Sequence, residues 1–409
     1  MKILSVVGAR PNFMKIAPFI RAIEAYNASL PQAETQSPAP TPPVPISPRP
    51  LPLTHLLVHT GQHYDDRMSQ AFFEDLNIPP ADIHLNIGSG SHAEQVGHTM
   101  IALEKVFLKE RPDWVVVVGD INATLAASVT AKKLNIKVCH IEAGLRSGDM
   151  GMPEEINRLV TDRLSDLLLT PDTLSSANLR QEGVPEAKIR FVGNIMIDTL
   201  EAQRAKAQSL QIQDIIHTNL LNLDSKLLPL NPSLLTPYSL ITLHRPSNVD
   251  QQEVLEPIIR FLLDEVSADM PVFWPIHPRT QKQLKLFGLW EEVLNHPRML
   301  LMHPLGYHDM LRLNMDATIM LTDSGGLQEE CTVLGTPCLT LRWNTERPVT
   351  LREHGGASVL VGNHIDRIRS AYHETLRQER KPQRPPLWDG ETAVRCVKEI
   401  LESSWMDPC

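Results

Sequence analysis

At 409 residues the chain is too long for one ordinary core, and two units of roughly 150 to 200 residues are expected. Its 42% hydrophobic and 21% charged content is that of a globular protein, and a formal net charge of -9 argues against a broad nucleic-acid or anionic-membrane surface. Five scattered cysteines form no CxxC pair, and Cys139, Cys331 and Cys338, in apolar runs, suit buried thiols in a reducing cytoplasm; no apolar run approaches the ~18 residues of a membrane span or resembles a leader.

Lys2–Val7 reads as a short strand running into GARPN, then a helix from about Met14 to Tyr26. A glycine turn carrying Arg10 before a helix start carrying Lys15 can hold an anion, though an ordinary strand-to-helix turn has the same look. Residues 31–53 break the pattern. Nine of the chain's 33 prolines fall there, with little charge and no periodicity, as expected of a disordered or polyproline-like surface insertion.

Alternation then resumes. His55–His59 reads as a strand, GQHYDDRMSQ as the lead into a helix through Phe73, and Leu76–Asn86 as the approach to a second short strand. Ser91 and Glu94 form a capping-box signature for a helix to about Lys109. Trp114–Val118 is an unbroken apolar run, as in a parallel strand buried on both faces. It ends in Gly119-Asp120 before a helix over Asn122–Leu134. Another apolar run (Ile136, Val138, Cys139) leads into HIEAGLRSGDMGMPEEINRLVTDRLSD, where Glu142 falls at a strand's end. Pro153 with Glu154 and Glu155 marks a helix's first turn, and Asn157, Arg158 and Asp162 share a face of it. Leu167–Thr170, a helix Leu174–Glu182 and Ile189–Val192 complete one doubly wound unit.

Residues 199–237 read as a connecting helix and a loop. A second series starts with Tyr238–Leu243, followed by HRPSNVD and a helix Gln251–Glu265. Val272–Ile276 precedes HPRT, Met299–Met302 precedes HPLGYHDM, Thr318–Leu321 precedes TDSGGLQEE, and Cys338–Leu341 precedes RWNTERP. A final helix spans about Thr392–Ser403. The repeated passage from apolar strand to a loop rich in His, Arg, Ser and Gly is stronger evidence than any single loop.

The fold class is therefore α/β, with two doubly wound, Rossmann-like units facing a cleft, and ligands belong at the carboxyl ends of their strands. The first unit offers Arg10, Lys15, Asp120, Glu142, Glu154 and Arg158. The second offers His244, Arg245, His277, Arg279, Ser324, Gly325, Gly326, Glu330 and Arg347. Ser324-Gly325-Gly326 ahead of a helix presents backbone N–H groups suited to a phosphate, or is a plain serine–glycine cap. Three carboxylates, Asp120, Glu142 and Glu154, can share one pocket as general acid and base. Singly, Asp120 also fits a helix cap, and Glu154 a first-turn acid favoured by the helix dipole. No HExxH motif occurs and no GxGxxG follows the first strand, and the histidines lie on separate strands and loops rather than on one helix face, so neither a metal nor a nicotinamide dinucleotide is implied.

GARPNFMK, GDINATLAAS, HIEAGLR, PEEINR, HRPSNVD, IHPRT, TDSGGLQEE and TERP occur in the order and spacing of the non-hydrolysing UDP-N-acetylglucosamine 2-epimerases, which the chain resembles over nearly its whole length. The resemblance implies a GT-B-like fold and a cytoplasmic homodimer. Its first domain would be 1–196 with the 31–53 insertion, joined by the C-terminal helix 386–409, and its second, UDP-binding domain 197–385. It also implies reversible epimerisation at C2 of UDP-GlcNAc to UDP-ManNAc through elimination of UDP, a 2-acetamidoglucal intermediate and re-addition of UDP, with no cofactor or metal. Asp120, Glu142 and Glu154 match the family's catalytic acids and His244 its essential histidine. Arg10, Lys15, Arg158, Arg245, Ser324, Gly325, Gly326, Glu330 and Arg347 match nucleotide-sugar contacts, with Glu330 at the ribose and Leu305–Met310 around the uracil. Some bacterial members bind a second UDP-GlcNAc as activator, and Gln62, His63 and His277 match positions used there. Many members read HRRE where this chain has HRPS at His244–Ser247. Relatives acting on C3-modified UDP sugars share most of these motifs. A GT-B glycosyltransferase would also grip UDP, but has no need of the three acids together.

Overall fold

A computed structural model describes residues 1–8, 10–31, 52–61, 79–221 and 236–405. Two all-parallel sheets follow one another along the chain. The first has seven strands in the order β3-β2-β1-β4-β5-β6-β7: β1 Lys2–Val7, β2 Thr54–His59, β3 Ile83–His84, β4 Trp114–Val118, β5 Lys137–Ile141, β6 Leu167–Thr170 and β7 Ile189–Phe191. The second has six in the order β10-β9-β8-β11-β12-β13: β8 Ser239–Thr242, β9 Val272–Pro275, β10 Met299–Met302, β11 Ile319–Thr322, β12 Cys338–Thr340 and β13 Ser358–Leu360. In each sheet the order reverses once, beside β1 and β4 in the first and beside β8 and β11 in the second. Such reversals leave a crevice at the strands' carboxyl ends, because successive helices depart to opposite faces.

The elements form where their residues dictate. Every residue of β4 is buried, as a central parallel strand requires. The helix His92–Glu110 begins in the expected capping box: Glu94 N–H donates to Ser91 Oγ at 3.3 Å, and Ser91 N–H to Glu94 Oε2 at 2.8 Å. Strand β13 is an addition to the strands expected from the sequence. Its three residues, Ser358–Leu360, are too few to show a period, and pairing with β12 is what makes them a strand.

Residues 199–237 hold more helix than expected. Ile195–Ser209 and Ile212–Asn219 are both helical, while 222–235 lie outside the described residues, as do 32–51 of the proline-rich stretch and the helix expected through Phe73. Ile195–Ser209 packs on helices of both halves, against Arg10–Ser29 and Thr392–Trp405 on one side and Tyr307–Asp316 and Gly325–Leu334 on the other. One hydrophobic core accordingly runs from Phe19 and Ile20 through Ile197 and Leu200 to Tyr307, Leu311 and Val333.

The C-terminal segment returns to the first sheet. Trp388 is fully buried and donates its indole N–H to Pro171 O at 2.9 Å. Burying such a side chain stabilises by roughly 1.5–3 kcal/mol. Asp198 accepts the N–H groups of Thr392 (3.1 Å) and Ala393 (2.6 Å), capping the last helix from a neighbouring one. At the crossing Gly193 has φ +95, and an added Cβ would stand 2.1 Å from Leu387 O, so only glycine fits.

Candidate functional site

Both crevices open toward each other, and the expected residues gather there. In the first half, Lys15 on the helix after β1 pairs with Glu142 at the end of β5; their side chains are only 9% and 2% exposed. Glu142 is a non-glycine residue at φ +69, a left-handed conformation that costs about 1–3 kcal/mol and is kept where the surroundings enforce it. Its second carboxylate oxygen, Oε1, is buried with no hydrogen-bond partner among the described residues. Gly119 (φ +70) forms the floor. A Cβ there would make ordinary contact with Lys15 Nζ at 3.4 Å and Glu142 Oε2 at 3.6 Å, so it is the left-handed backbone that calls for glycine.

Asp120 is no helix cap: Ile121 holds that position without a side-chain bond. Its carboxylate is instead held by Arg158, whose Nε donates at 2.9 Å, while Asn157 Nδ2 donates to Asp120 O at 2.8 Å. Arg158 also pairs with buried Glu155, which accepts the N–H groups of Ser147 and Gly148, each at 3.0 Å. Glu155 is therefore the member of the EE pair that fixes the preceding loop. Glu154, on the adjacent position of the helix Pro153–Leu164, is half-buried and within electrostatic reach of Arg245 in the other half.

A buried brace lies beneath these acids. His140 has Asp162 Oδ1 at 2.6 Å from Nδ1 and Gly119 O at 2.9 Å from Nε2, so both ring nitrogens face acceptors. Asp162 also accepts Gly144 N–H at 3.0 Å and pairs with Arg146 at 2.7 Å. Burial opposes ionisation of Asp162, but His140 and Arg146 hold its carboxyl below the usual range. One carboxylate thus ties down the glycine before Asp120 (through His140) and the glycine two after Glu142.

In the second half, His244 ends the strand passage from β8 and Asp323 that from β11. Asp323 is fully buried and lies 2.7 Å from His244 Nδ1. His277 stands beside them, its ring centroid 5.5 Å from that of His244. Burial, then the neighbouring His244, keeps His277 below its ordinary pKa, and its Nδ1 accepts Arg279 N–H at 3.1 Å. Arg279 itself turns outward to Asp250, with Nε donating at 2.8 Å. Arg245 donates from Nε to Asp323 O at 2.9 Å.

The helix expected to follow Ser324-Gly325-Gly326 already begins at Gly325, with Ser324 as its N-cap. Ser324 makes no side-chain capping bond and the first turn carries no acid, so its N–H groups and positive end are left for a ligand. Leu305 is buried and Met310 partly buried, beside Leu327 of that helix, forming an apolar wall. Glu330, one turn in, is buried and faces the Tyr307 hydroxyl and the Asn314 amide. Burial pushes its carboxyl up to about 7, against the pull of those two groups, and the charge of Glu329 adds to the rise.

Arg347 joins the halves. It pairs with Glu346 and lies 2.7 Å from Glu329 Oε1, which also accepts Asn194 Nδ2 at 2.8 Å from the first half. Its guanidinium is within electrostatic reach of Glu142 and Asp120. Burial opposes ionisation of Glu346, yet Arg347 and then Arg342 hold it well below the carboxylate range.

The structure therefore brings together Lys15, Asp120, Glu142, Glu154, Arg158, His244, Arg245, Ser324, Gly325, Gly326 and Arg347. Glu330 and the Leu305–Met310 wall stand one turn away. Arg10 opens its helix, but its side chain, like Gln62 and His63, lies outside the described residues. Asp323, Glu329, Glu346 and His140 are buried cleft groups that sequence reasoning did not pick out, and Asp162 was read only as sharing a helix face. All sit inside the motifs it picked out, and for Asp323, Glu329 and Glu346 the legible signal is an acid immediately before a candidate residue, Ser324, Glu330 or Arg347.

Two parallel sheets facing a cleft, acids on one side and an uncapped helix end with a histidine on the other, define an α/β protein of the GT-B-like kind. The family model described as UDP-N-acetylglucosamine 2-epimerase matches residues 49–401. The UDP-N-acetylglucosamine 2-epimerase of Methanocaldococcus jannaschii is 38% identical over 400 residues, covering 97% of this chain and 98% of that one. The UDP-2,3-diacetamido-2,3-dideoxy-D-glucuronate 2-epimerase of Pseudomonas aeruginosa is 38% identical over 412 residues, covering 98% and 99%. The crystal structure of the M. jannaschii enzyme in complex with UDP-GlcNAc and UDP matches with a TM-score of 0.81 at 38% identity, covering 98% of this chain and 100% of that one. The Neisseria meningitidis UDP-GlcNAc 2-epimerase bound to UDP-GlcNAc matches at 0.80 with 27% identity, covering 98% and 100%. The chain belongs to the UDP-N-acetylglucosamine 2-epimerase family, whose members are isomerases.

Proposed function

We propose that the protein interconverts UDP-GlcNAc and UDP-ManNAc. The observation that carries this reading is the juxtaposition of Asp120, Glu142 and Glu154 at the first sheet's strand ends with the His244 and Ser324–Gly326 corner of the second. UDP would lie on the second half, its pyrophosphate at the Ser324–Gly326 helix end and Arg347, its ribose at Glu330 and its uracil against Leu305 and Met310. A carboxylate of the first half removes the C2 proton while the C1–O bond breaks, its electron pair leaving with UDP. The resulting 2-acetamidoglucal is reprotonated at C2 on the other face as UDP adds back at C1. Charge-assisted contacts to the pyrophosphate stabilise the departing anion. The same reading takes 1–196 with 386–409 and 197–385 as the two domains of a cytoplasmic homodimer, and places an activating UDP-GlcNAc near Gln62, His63 and His277.

A C3-modified UDP sugar is the second reading, favoured by the P. aeruginosa relative, which is as similar as the M. jannaschii one. Proton NMR of the protein with UDP-GlcNAc in deuterated water, without metal or acceptor, tests both. Appearance of UDP-ManNAc with deuterium at C2 is the expected result. Free ManNAc with UDP would mean hydrolysis, and no exchange with UDP-GlcNAc but exchange with a 2,3-diacetamido sugar would favour the second reading.

A further inference from the structure

Asp323 has no part in the proton transfers above, yet it is among the most fully engaged carboxylates of the cleft. We propose that Asp323 is the positioning residue for His244, fixing its tautomer and ring orientation so that Nε2 meets the ligand. The proposal deepens the epimerase reading and rests on it.

Donors saturate this carboxylate. Oδ2 of Asp323 accepts the N–H groups of His244 (3.0 Å) and Arg245 (2.8 Å) and Asn248 Nδ2 (3.1 Å). Oδ1 accepts His244 N–H at 3.2 Å and faces His244 Nδ1 at 2.7 Å. All its other partners are donors, so the carboxylate is an acceptor throughout and the proton between Oδ1 and Nδ1 belongs to the ring. Burial opposes this ionised form, but the His244 ring and the two backbone amides hold Asp323 below the usual carboxylate range.

With Nδ1–H committed, Nε2 is the ring nitrogen that can reach a ligand. Because β8 and β11 are neighbours where the sheet order reverses, the pair straddles the crevice that open sheets use for ligands. Ser324, the next residue, caps the phosphate-ready helix, so the backbone carrying Asp323 also sets the distance from His244 to that helix end. A carboxylate at Nδ1 both orients an imidazole and stabilises the cationic ring in any step that protonates Nε2, the logic by which a buried acid supports a catalytic histidine elsewhere. Here the beneficiary would be the negative charge growing on UDP as the C1–O bond breaks.

The test combines a spectrum with kinetics on the full chain. Long-range proton–nitrogen NMR of protein labelled in the histidine rings, with His244 assigned by its loss in His244→Gln, should show the Nδ1–H tautomer. In Asp323→Asn the amide can donate to Nδ1, so His244 should switch to Nε2–H. Its kcat for C2 exchange should fall by roughly 100-fold or more while KM changes by less than about threefold. His244→Gln with Asp323→Asn should be no slower than His244→Gln alone. An Nε2–H tautomer in the wild type, a kcat for Asp323→Asn within about threefold of wild type, or multiplying losses in the double variant would overturn the proposal. The wild-type spectrum needs no variant to fold. Absence of C2 exchange from every UDP sugar tried would sink the epimerase reading while the spectrum still decided the pair.

Discussion

The two crevices share a topology and differ in how they treat charge. In the first, three acids are matched and held: Glu142 by Lys15, Asp120 by Arg158, Asp162 by His140 and Arg146. In the second, the helix end after β11 has neither a first-turn acid nor a side-chain cap, and the carboxylate beside Gly325, Glu346, is already paired with Arg342 and Arg347. The difference teaches a division of labour. Rigidly paired acids suit proton transfer at a fixed atom, and an open helix end suits a group that must bind and leave.

Glu142→Gln and Asp120→Asn should each break only the first side, lowering kcat by about 10²–10⁴-fold with UDP affinity within about threefold, read by NMR exchange and calorimetry. Equal losses in both quantities would erase the division. Lys15→Met should leave Glu142 charged, buried and unpaired, destabilising the protein by about 3–5 kcal/mol in denaturant unfolding, and adding Glu142→Gln should restore most of that.

Glu330 sharpens the second side. Its carboxyl is raised to about 7 from an ordinary 4.5, so the folded state binds more protons than the unfolded one between those values, and stability falls as pH rises through that window. Glu330→Gln should remove that fall, gaining about 3 kcal/mol at pH 8 relative to wild type, and weaken UDP binding. A wild-type stability that stays flat from pH 4.5 to 7 would count against it. Gly326→Asp has room, since the nearest atom to an added Cβ is 4.0 Å away, and a first-turn acid suits the helix. The melting temperature should hold while UDP affinity drops about tenfold or more, because the acid occupies the phosphate's field. Smallest of all, Arg279→Ala removes an exposed pair with Asp250 and should cost less than about 1 kcal/mol.

Much of the fold and the site is legible in the sequence for a physical reason. Buried parallel strands such as Trp114–Val118 are unbroken apolar runs, and the loop leaving each one faces the ligand, so strands and candidate residues can be read together. Helix starts are readable where capping chemistry is local, as at Ser91–Glu94 and Pro153. The limits are equally physical: β13 is too short to show a period, and Ile195–Ser209 is buried from both sides and lacks one apolar stripe.

The sequence by itself determined the α/β class, the two parallel series and which loops carry chemistry, because strand burial and turn chemistry are written in neighbouring residues. Only the tertiary structure decided which charges pair. Lys15 lies 127 positions from Glu142, and Asn194 lies 135 from Glu329. Separations of that length are closed by sheet order and by a core shared between the halves. The same closure turned Glu155 into a scaffold, placed Glu154 opposite Arg245, and set Asp323 against His244.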